Sequence, residues 1–484
     1  MTVKIVRPIR GGTVRAPASK SEAQRLLICA ALADEKTYVG CPERSEDIDA
    51  AVRCLIEIGA EIKHDGRGFS VSPIDIKNID RDRRRVLDCG ESGAVLRFLF
   101  PVCGALGVNA NFLMRGNLPE RPVSALCDAM AANGCDIRTS DRTTISCGGQ
   151  LKNGVYFIPG NISSQFVSGL LFALPLLPGE STIEIARGLG SRPYADMTIA
   201  ALKSFNINIK EEKNKFVCRG QGYVSPGKIN AGGDWTNAAA WLAMGFVGVK
   251  NVSCAGLDVN STQGDRAIME LLRNFGARIT VNGDVASIAE NEICSANDFD
   301  ENALKNTSFN EKLKMIGKNA LVNKINENII KHDVSDFVID ARDIPDLVPI
   351  LAAAASALNK KTIIKNAARL RLKESDRLLS VSAALNSLGA NITETDDGLI
   401  IKDRNKMPGG VADSFNDHRI VTAAAVLSAA CDGPVTIRGA EAVNKSYPGF
   451  FNDFIRLGGE IDMNNTVDKN VENMKKRKIN TRAD

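Results

Sequence analysis

A lysine and a glutamate stand side by side at Lys373 and Glu374, in the stretch RLRLKESDRLL. The residues that follow, LLSVSAALNSLG, predict a helix with Ser375 or Asp376 as its N-cap and Arg377 in its first turn. A helix N-terminus favours negative charge, so an arginine there makes sense where a bound anion compensates it. The stretch therefore predicts a proton-carrying carboxylate, Glu374, within an anion-binding surface.

Two further predicted helices begin beside positively charged residues. The sequence SKSEAQR places Lys20, Ser21 and Arg25 at the start of one helix. The sequence CGESGAVLR leads through a glycine turn with Gly93 into a helix that carries Arg97. Glycines in such a turn let the backbone approach a phosphate or carboxylate closely. Each pattern alone is also typical of an ordinary capped surface helix.

Cationic, hydroxyl or amide residues also lie at the remaining predicted helix starts. One of these, Arg121, lies just before Pro122, which is predicted to open a helix. These residues are Arg121, Ser163, Ser164, Gln165, Ser191, Tyr194, Arg419 and Lys445. If all the helix starts converge, up to eight cations face one site, and their repulsion would destabilise the fold without a ligand that carries several negative charges. Their recurrence predicts one binding site for polyanions.

The stretch DARDIPDLVPILAAAASAL supplies two acids, Asp343 and Asp346, beside Pro345, which is predicted to open a helix. A carboxylate among cations is a candidate proton carrier. Helix capping is the alternative role for both acids. The residues alone do not choose between them.

One sequence phrase occurs six times, and each copy joins the end of a predicted helix through Gly or Asn to a β-prone residue. The Gly or Asn positions are Gly59, Gly134, Asn206, Gly276, Gly389 and Gly458. Their spacing is about seventy residues in four of the five intervals, which suits a compact βα unit with several strands. Six units indicate two domains of three units each.

The one long interval is explained by residues 291–333, which are rich in Asn, Lys and Glu. This composition predicts a surface insertion without a catalytic role. The charged residues 466–484 are expected to form a solvated tail.

The composition narrows the class of protein. With 484 residues, of which 44% are hydrophobic, the chain is long enough for two or more domains. A net charge of +4 and an aromatic content of 5% do not favour a nucleic-acid binder. The N-terminus lacks a signal-peptide pattern, no apolar run is long enough to cross a membrane, and the twelve cysteines are scattered. We therefore expect a cytoplasmic protein that binds neither membrane nor nucleic acid.

Taken together, the motifs resemble those of the 5-enolpyruvylshikimate-3-phosphate synthases, in the enolpyruvyl transferase superfamily. The motifs are SKSEAQR, CGESGAVLR, ERP, SSQF, SRPY, IPD, KESDRL, NDHR and NKSYPGF, and the resemblance runs from about residue 4 to 461. It implies an α/β (α+β) fold of two domains, each of three repeated βα units around a pseudo-threefold axis with buried helices, and an active site in the interdomain cleft. It also implies a first domain at 19–234 and a second at 1–18 and 235–465.

The resemblance implies transfer of the enolpyruvyl group of phosphoenolpyruvate to the 5-hydroxyl of shikimate 3-phosphate. The catalytic residues would be Lys20, Asp346, Glu374 and Lys373. Shikimate 3-phosphate would be bound by Lys20, Ser21, Arg25, Ser163, Ser164, Gln165, Ser191, Tyr194, Asp346 and Lys373. Phosphoenolpyruvate would be bound by Lys20, Gly93, Arg121, Gln165, Arg377, Arg419 and Lys445. No metal or organic cofactor is expected, and the partners would be these two substrates, bound by a monomer.

Three positions bear on how far the resemblance extends. Glu91 stands where the family often has Asn, and Arg369 stands where some members have an Asn that contacts shikimate 3-phosphate. The resemblance favours Asp346 over Asp343 as the base, because Asp346 follows the Ile-Pro pair. We expect His418 to support Arg419 structurally.

Three other functions are compatible with parts of the pattern. A UDP-N-acetylglucosamine enolpyruvyl transferase would share the fold, but KESDR and SSQF favour the shikimate enzyme. An RNA-processing protein is suggested by the similar βα units of RNA-end cyclases and by the basic KKRK in the tail, although aromatic platforms for bases are missing. A catalytically inactive homologue is disfavoured because all the candidate cations and both acids are present.

Overall fold

The structure is a computed structural model that describes residues 1–186, 188–289, 336–402 and 406–464. The predicted insertion, 291–333, and the predicted tail, 466–484, lie outside these residues. Within the described residues, no helix combines the length and apolar character needed to cross a bilayer.

Single helices alternate with groups of one to three strands along the described residues. The helices are α1 (Lys20–Ala31), α2 (Glu46–Ile58), α3 (Gly93–Leu106), α4 (Ser124–Ala131), α5 (Ser164–Ala173), α6 (Arg192–Ser204), α7 (Trp235–Val247), α8 (Ile268–Asn274), α9 (Val348–Ser356), α10 (Arg377–Asn386), α11 (His418–Ser428) and α12 (Phe450–Arg456). The strands are β1 (Thr2–Arg7), β2 (Gly12–Arg15), β3 (Thr37–Gly40), β4 (Glu61–His64), β5 (Gly68–Ser72), β6 (Arg85–Asp88), β7 (Ala110–Leu113), β8 (Cys135–Asp141), β9 (Thr144–Gly149), β10 (Val155–Pro159), β11 (Glu180–Ala186), β12 (Lys210–Glu212), β13 (Lys215–Arg219), β14 (Lys228–Asn230), β15 (Val252–Ala255), β16 (Ile279–Asn282), β17 (Val285–Ile288), β18 (Phe337–Asp340), β19 (Thr362–Lys365), β20 (Ile392–Thr395), β21 (Gly398–Ile401), β22 (Gly410–Asp413), β23 (Val435–Arg438) and β24 (Glu460–Asn464).

Within the described ranges the strands form six four-stranded sheets. Their orders are β14-β3-β5-β4, β6-β7-β9-β8, β10-β11-β13-β12, β16-β17-β15-β2, β18-β19-β21-β20 and β22-β23-β1-β24. Each sheet joins one parallel pair, such as β6 with β7, to antiparallel neighbours, such as β9 with β8. The prediction of six repeated βα units is therefore confirmed.

The repeated sequence phrase marks the same structural event in every unit. A helix ends, one residue takes a positive φ, and the edge strand of the sheet begins. The residues are Gly59, Gly134, Asn206, Gly276, Gly389 and Gly458, with φ between 62° and 133°. Glycine and asparagine tolerate this backbone region better than other residues do, which is why the phrase could be read from the sequence.

The sheets and helices enclose two hydrophobic cores. One core is built from residues 23–223, and the other from residues 3–16 and 235–457. The chain passes between the cores at two neighbouring points, where Ser19 N donates to Gly232 O at 2.7 Å and Asp234 N donates to Pro17 O at 2.9 Å. Helices lie inside the cores as predicted: every residue of α9 and of α11 is buried.

Two sequence predictions about helix starts need correction. Pro122 was predicted to open a helix, but α4 begins only at Ser124, so Pro122 belongs to the preceding loop. Pro345 opens a short 3-10 turn, Pro345–Leu347, which leads into α9. In both cases proline lies just before the α-helix, where its fixed φ and missing N–H are tolerated.

Gly134 and Gly276 offer a matched test of the repeat. Both have a φ of +102°, but a Cβ on Gly134 would lie 2.7 Å from Gln150 O, whereas one on Gly276 would meet no described atom within 4 Å. We expect Gly276→Ala to lower the free energy of unfolding by about 1 kcal/mol through its backbone conformation. Gly134→Ala should lower it by at least about 1 kcal/mol more, because the added methyl group clashes. Urea unfolding followed by circular dichroism measures both, and equal losses would contradict the clash.

Candidate active site

A cavity of about 100 Å³ lies between the two cores and is lined from both. It brings together all but one of the residues predicted for the site. Those that line it are Lys20, Ser21, Arg25, Gly93, Arg121, Ser163, Ser164, Gln165, Ser191, Tyr194, Asp346, Lys373, Glu374, Arg377 and Arg419. The exception is Lys445, which is not among the lining residues. Residues separated by hundreds of positions therefore meet because the helix starts converge.

Positive charge dominates the cavity wall. The cationic residues are Lys20, Arg25, Arg97, Arg121, Arg369, Lys373, Arg377 and Arg419, and the acidic residues are Asp47, Asp346 and Glu374. The excess of five positive charges in a partly enclosed space attracts ligands with several negative charges. The wall thus has the polarity that the sequence predicted.

Helices that begin at the cavity also have side-chain N-caps, so a residue at a helix start can cap the helix and still lie at the cavity. Ser19 caps α1, Ser163 caps α5 and Asp376 caps α10, each by accepting a backbone N–H. The choice between Ser375 and Asp376 as the cap of α10 is settled for Asp376. Ser191 has a positive φ of 54° and makes no side-chain cap, which leaves its hydroxyl at the cavity.

Arg25 and Arg97 hold the first core together at the cavity. Arg25 donates to Thr198 Oγ1 at 2.9 Å, Ser21 O at 2.7 Å and Tyr194 O at 3.0 Å, which ties α1 to α6. Burial lowers the pKa of Arg25 to about 10, so it remains charged at neutral pH. Arg97 donates to Gln165 Oε1 at 3.0 Å and fixes that amide. Both arginines orient other cavity residues.

Arg377 lies at the centre of an ion-pair cluster in the second core. Its Nε donates to Asp417 Oδ2 at 2.8 Å, its Nη1 to Asp346 Oδ1 at 2.7 Å and its Nη2 to Glu374 Oε2 at 2.7 Å. Burial alone would lower the pKa of Arg377, but the three carboxylates outweigh burial and raise it. Arg377 therefore fixes the two candidate proton carriers relative to each other.

Asp346 connects the two walls of the cavity. Tyr194 Oη, from the first core, donates to Asp346 Oδ2 at 2.6 Å, and Lys373 Nζ lies 3.5 Å from Asp346 Oδ1. Burial would raise the pKa of Asp346, but the charges of Lys373, Arg377 and Arg419 hold it well below its ordinary value. Asp346 is therefore an ionised acceptor.

Glu374 also faces the opposite wall. Its Oε1 lies 3.7 Å from Arg121 Nη1, and Asn117 Nδ2 donates to its backbone oxygen at 2.8 Å. Burial would raise the pKa of Glu374, but Arg377 and Arg121 hold it well below its ordinary value. An anion that engaged those arginines would weaken their hold and raise this pKa. Glu374, like Asp346, is an ionised acceptor in this structure.

Two cations at the cavity have unused donors. The Nε atoms of Arg121 and Arg419 are buried and have no hydrogen-bond partner within the described residues. A buried guanidinium donor without a partner is unfavourable, and a phosphate or carboxylate oxygen would satisfy it. Lys20, beside them on the wall, pairs with Asp47 at 2.8 Å. Arg121 and Arg419 therefore form a candidate anion-binding pair in the cavity wall.

The two aspartates of the DARDIPD stretch point to different spaces. Asp346 lines the cavity described above, whereas Asp343 lines a second cavity of about 780 Å³ and accepts a bond from Arg192 N at 3.1 Å. Arg369 lines both cavities. The geometry supports Asp346 as the acid of the polyanion site.

Sequence reasoning missed two acids that shape the site. Asp417 caps α11 and pairs with Arg377, and its signal was its position just before the helix in NDHR. Asp47 pairs with Lys20 from the first turn of α2, where the only signal was an acidic helix start. Neither pairing could be read from sequence distance. Within the described residues, no group of three or more His, Cys, Asp or Glu side chains is arranged to hold a metal ion.

His418 gives the site a pH-dependent contribution to stability. Burial and the charges of Arg419 and Lys20 hold the pKa of His418 well below its ordinary value. The unfolded chain takes up this proton near pH 6.5 while the native protein does not, so the stability from neutral His418 is present above that pH and is lost below it. Lowering the pH from 7.5 to 5.5 reduces the free energy of unfolding of the parent. We expect the reduction in His418→Asn to be about 1 kcal/mol smaller.

Urea unfolding at the two pH values measures this difference. The control is His64→Asn, a half-buried histidine whose Nε2 lies 3.3 Å from Cys41 O and which does not line the cavity. An identical loss of stability in the parent and in His418→Asn would show that His418 takes up its proton in the native protein. The prediction that His418 supports Arg419 stays a prediction.

The fold and the cavity together define a class: a protein of six βα units around two cores, with a polyanion site between them. A family model described as EPSP synthase (3-phosphoshikimate 1-carboxyvinyltransferase) matches residues 5–305 and 285–454. A 3-phosphoshikimate 1-carboxyvinyltransferase from Clostridium kluyveri is 38% identical over 453 residues, which cover 93% of this chain and 96% of that protein. The chain belongs to the EPSP synthase family.

Solved structures share the fold. An EPSP synthase from Acinetobacter baumannii superimposes with a TM-score of 0.71 at 22% identity, over 96% of this chain and 100% of that one. The enolpyruvyl transferase NikO from Streptomyces tendae superimposes with a TM-score of 0.69 at 16% identity, over 95% of this chain and 98% of that one. The expected fold class is confirmed.

Proposed function

We propose that the protein transfers the enolpyruvyl group of phosphoenolpyruvate to the 5-hydroxyl of shikimate 3-phosphate. The products are 5-enolpyruvylshikimate 3-phosphate and phosphate, and the reaction belongs to the chorismate pathway of aromatic amino acid biosynthesis. Membership of the EPSP synthase family supports this reaction. The observation that carries it is the cavity wall, where eight cations and the acids Asp346 and Glu374 face one space.

The two substrates would divide the cavity between its walls. The first-core residues Ser163, Ser164, Gln165, Ser191 and Tyr194 offer hydroxyl and amide groups, which suit the hydroxyls and phosphate of shikimate 3-phosphate. Phosphoenolpyruvate would occupy the group around Arg121 and Arg419, whose unused Nε donors suit its phosphate and carboxylate. Lys20 would contact both substrates from the start of α1. These assignments follow the family resemblance and the chemistry of each wall.

The chemistry requires proton movement in both directions. A bond forms between the 5-oxygen of shikimate 3-phosphate and C2 of phosphoenolpyruvate while C3 gains a proton. The adduct then collapses, the bond from C2 to the phosphate oxygen breaks, C3 loses a proton and phosphate leaves. Asp346 would accept the hydroxyl proton, with Lys373 beside it at 3.5 Å. Glu374 would give a proton to C3 and later take one back.

The negative charge of the substrates would raise the pKa of both Asp346 and Glu374. In the structure the pKa values of Asp346 and Glu374 are held low by neighbouring cations. Two polyanions that engage those cations would raise both pKa values, which makes Asp346 a stronger base and lets Glu374 carry a proton. The same cations would hold the reacting atoms of the two substrates close together, which lowers the barrier to the reaction.

Binding would require the two cores to separate. A cavity of about 100 Å³ is smaller than the several hundred cubic ångströms typical of ligand sites. We therefore propose that the cores belong to two domains, 19–234 and 1–18 with 235–465, that open and close on the substrates. The bond from Tyr194 to Asp346 would break and re-form in each cycle.

The assembly and location that we propose are a monomer in the cytoplasm. A single chain supplies all the site residues that line the cavity, so the site needs no residue from a second copy. No disulfide joins the cysteines within the described ranges, which suits a reducing compartment. Sedimentation at micromolar concentration would test the monomer, and a stable dimer would contradict it.

Phosphate release in a coupled assay tests the function. The parent protein should release phosphate only when phosphoenolpyruvate and shikimate 3-phosphate are both present. UDP-N-acetylglucosamine in place of shikimate 3-phosphate is the discriminating control. Release with the nucleotide sugar and none with shikimate 3-phosphate would overturn the proposal in favour of the related transferase. Salt-sensitive RNA binding that survives removal of the tail would favour the nucleic-acid alternative.

A further inference from the structure

Glu91, in the turn between β6 and α3, contacts residues from the other core. Lys445 Nζ donates to Glu91 Oε2 at 2.6 Å, and Asn416 Nδ2 lies 3.3 Å from the same oxygen. Lys445 is only 7% exposed, and its ammonium also donates to Asn416 O at 2.7 Å. The one predicted site cation that does not line the cavity is therefore neutralised by a carboxylate from the opposite core.

The fold is shaped around this carboxylate. Gly116 has a φ of 53°, and a Cβ there would lie 2.5 Å from Glu91 Cδ, so the absence of a side chain makes room for Glu91. On the other side, Phe415 and Asn416 both adopt positive φ values, 50° and 55°. Such values are unfavourable for residues other than glycine and persist where the surroundings impose them. This turn directs Asn416 O towards Lys445.

The pair lies next to the residues proposed to hold phosphoenolpyruvate. Glu91 is two residues before Gly93, and Asn416 is three residues before Arg419. A Cβ on Gly93 would lie 2.8 Å from Arg121 Nη1, which shows how closely this turn approaches the arginine. Without the Glu91 charge, the ammonium of Lys445 would add to the positive potential of this part of the cavity.

We propose that Glu91 sets the affinity of the phosphoenolpyruvate side of the cavity: it lowers the affinity for phosphate-bearing anions by neutralising Lys445. The inference rests on the proposed function, because that function places phosphoenolpyruvate there. A site with every cation unopposed would also retain the phosphate product and other small phosphates. Glu91 thus lowers the affinity for phosphoenolpyruvate, and the same loss of positive charge speeds the release of the phosphate product.

Glu91→Gln tests the inference because the amide keeps the shape and loses the charge. We expect the KM for phosphoenolpyruvate and the inhibition constant of inorganic phosphate each to fall about three- to ten-fold at low ionic strength, and the difference to shrink in added salt. The KM for shikimate 3-phosphate should change less than two-fold. The matched control is Glu180→Gln, which removes the same charge from an exposed pair with Arg219.

A double-mutant cycle assigns the effect to Lys445. Because Glu91 holds the Lys445 ammonium in an ion pair, Glu91→Gln should change the phosphate inhibition constant less in a Lys445→Met background than in the parent, and an equal change in both backgrounds would overturn the assignment to Lys445. Raised KM values for both substrates in Glu91→Gln, or an unchanged phosphate constant, would overturn the inference and leave Glu91 as a tie between the cores. Calorimetric titration with inorganic phosphate needs no turnover, so it decides this question even if the parent fails to turn over the two substrates, which would refute the proposed function instead.

Discussion

Replacing Glu374 with glutamine lowers kcat by about a thousand-fold in our account, while the KM for shikimate 3-phosphate changes only a few-fold. Glutamine can still accept the bond from Arg377 that Glu374 Oε2 accepts at 2.7 Å, so the cluster keeps its shape. It cannot carry the proton that C3 must gain and lose. Steady-state phosphate release measures the effect.

Deuterium exchange adds a readout that a structural role would not change. In D2O the parent should incorporate deuterium at C3 of the product, and Glu374→Gln should lose most of this incorporation. The control is Glu394→Gln. Glu394 forms an ion pair with Arg371 at 3.5 Å, and neither residue lines the cavity. Unchanged turnover in Glu374→Gln would remove this residue from the mechanism.

Replacing Asp346 with asparagine should lower kcat by about a hundred-fold or more. The variant loses the acceptor for the 5-hydroxyl proton. It also leaves Arg377 and Lys373 with one carboxylate less, although the amide can still accept the bond from Tyr194. The loss should persist at saturating concentrations of both substrates, which separates it from a binding defect.

Asp343→Asn is the matched control for this prediction. Asp343 is the other acid of the same stretch, but it lines the second cavity and accepts a bond from Arg192 N. We expect its kcat to stay within about three-fold of the parent value. A larger loss in Asp343→Asn than in Asp346→Asn would reverse the assignment of the base.

The repeat was the most predictable part of the fold. A helix that ends in a positive-φ residue and continues into a strand is a local event, so the sequence around Gly59 or Gly389 carries its signal directly. The order of strands in each sheet had no such signal. The pairing of β1 with β23 and β24, for example, joins the two ends of the described chain. Long-range pairing of this kind depends on tertiary packing.

The site was predictable in its residue types and less so in its pairings. Cations at helix starts could be found because capping and charge are local patterns, and the cavity gathers all of them except Lys445. The carboxylates that oppose them were not predictable in the same way. Asp47 with Lys20 and Glu91 with Lys445 meet only once the units are packed. The charge balance of the site is therefore a property of the fold.

A crystal structure of the slow Glu374→Gln variant with both substrates bound would show whether the convergent cations bind two polyanions in one place. We expect both phosphorus atoms to lie in the one cavity between the cores, with shikimate 3-phosphate at Ser163 and Ser191 and phosphoenolpyruvate between Arg121 and Arg419. Phosphorus atoms bound on separate faces of the protein, or away from these residues, would contradict it.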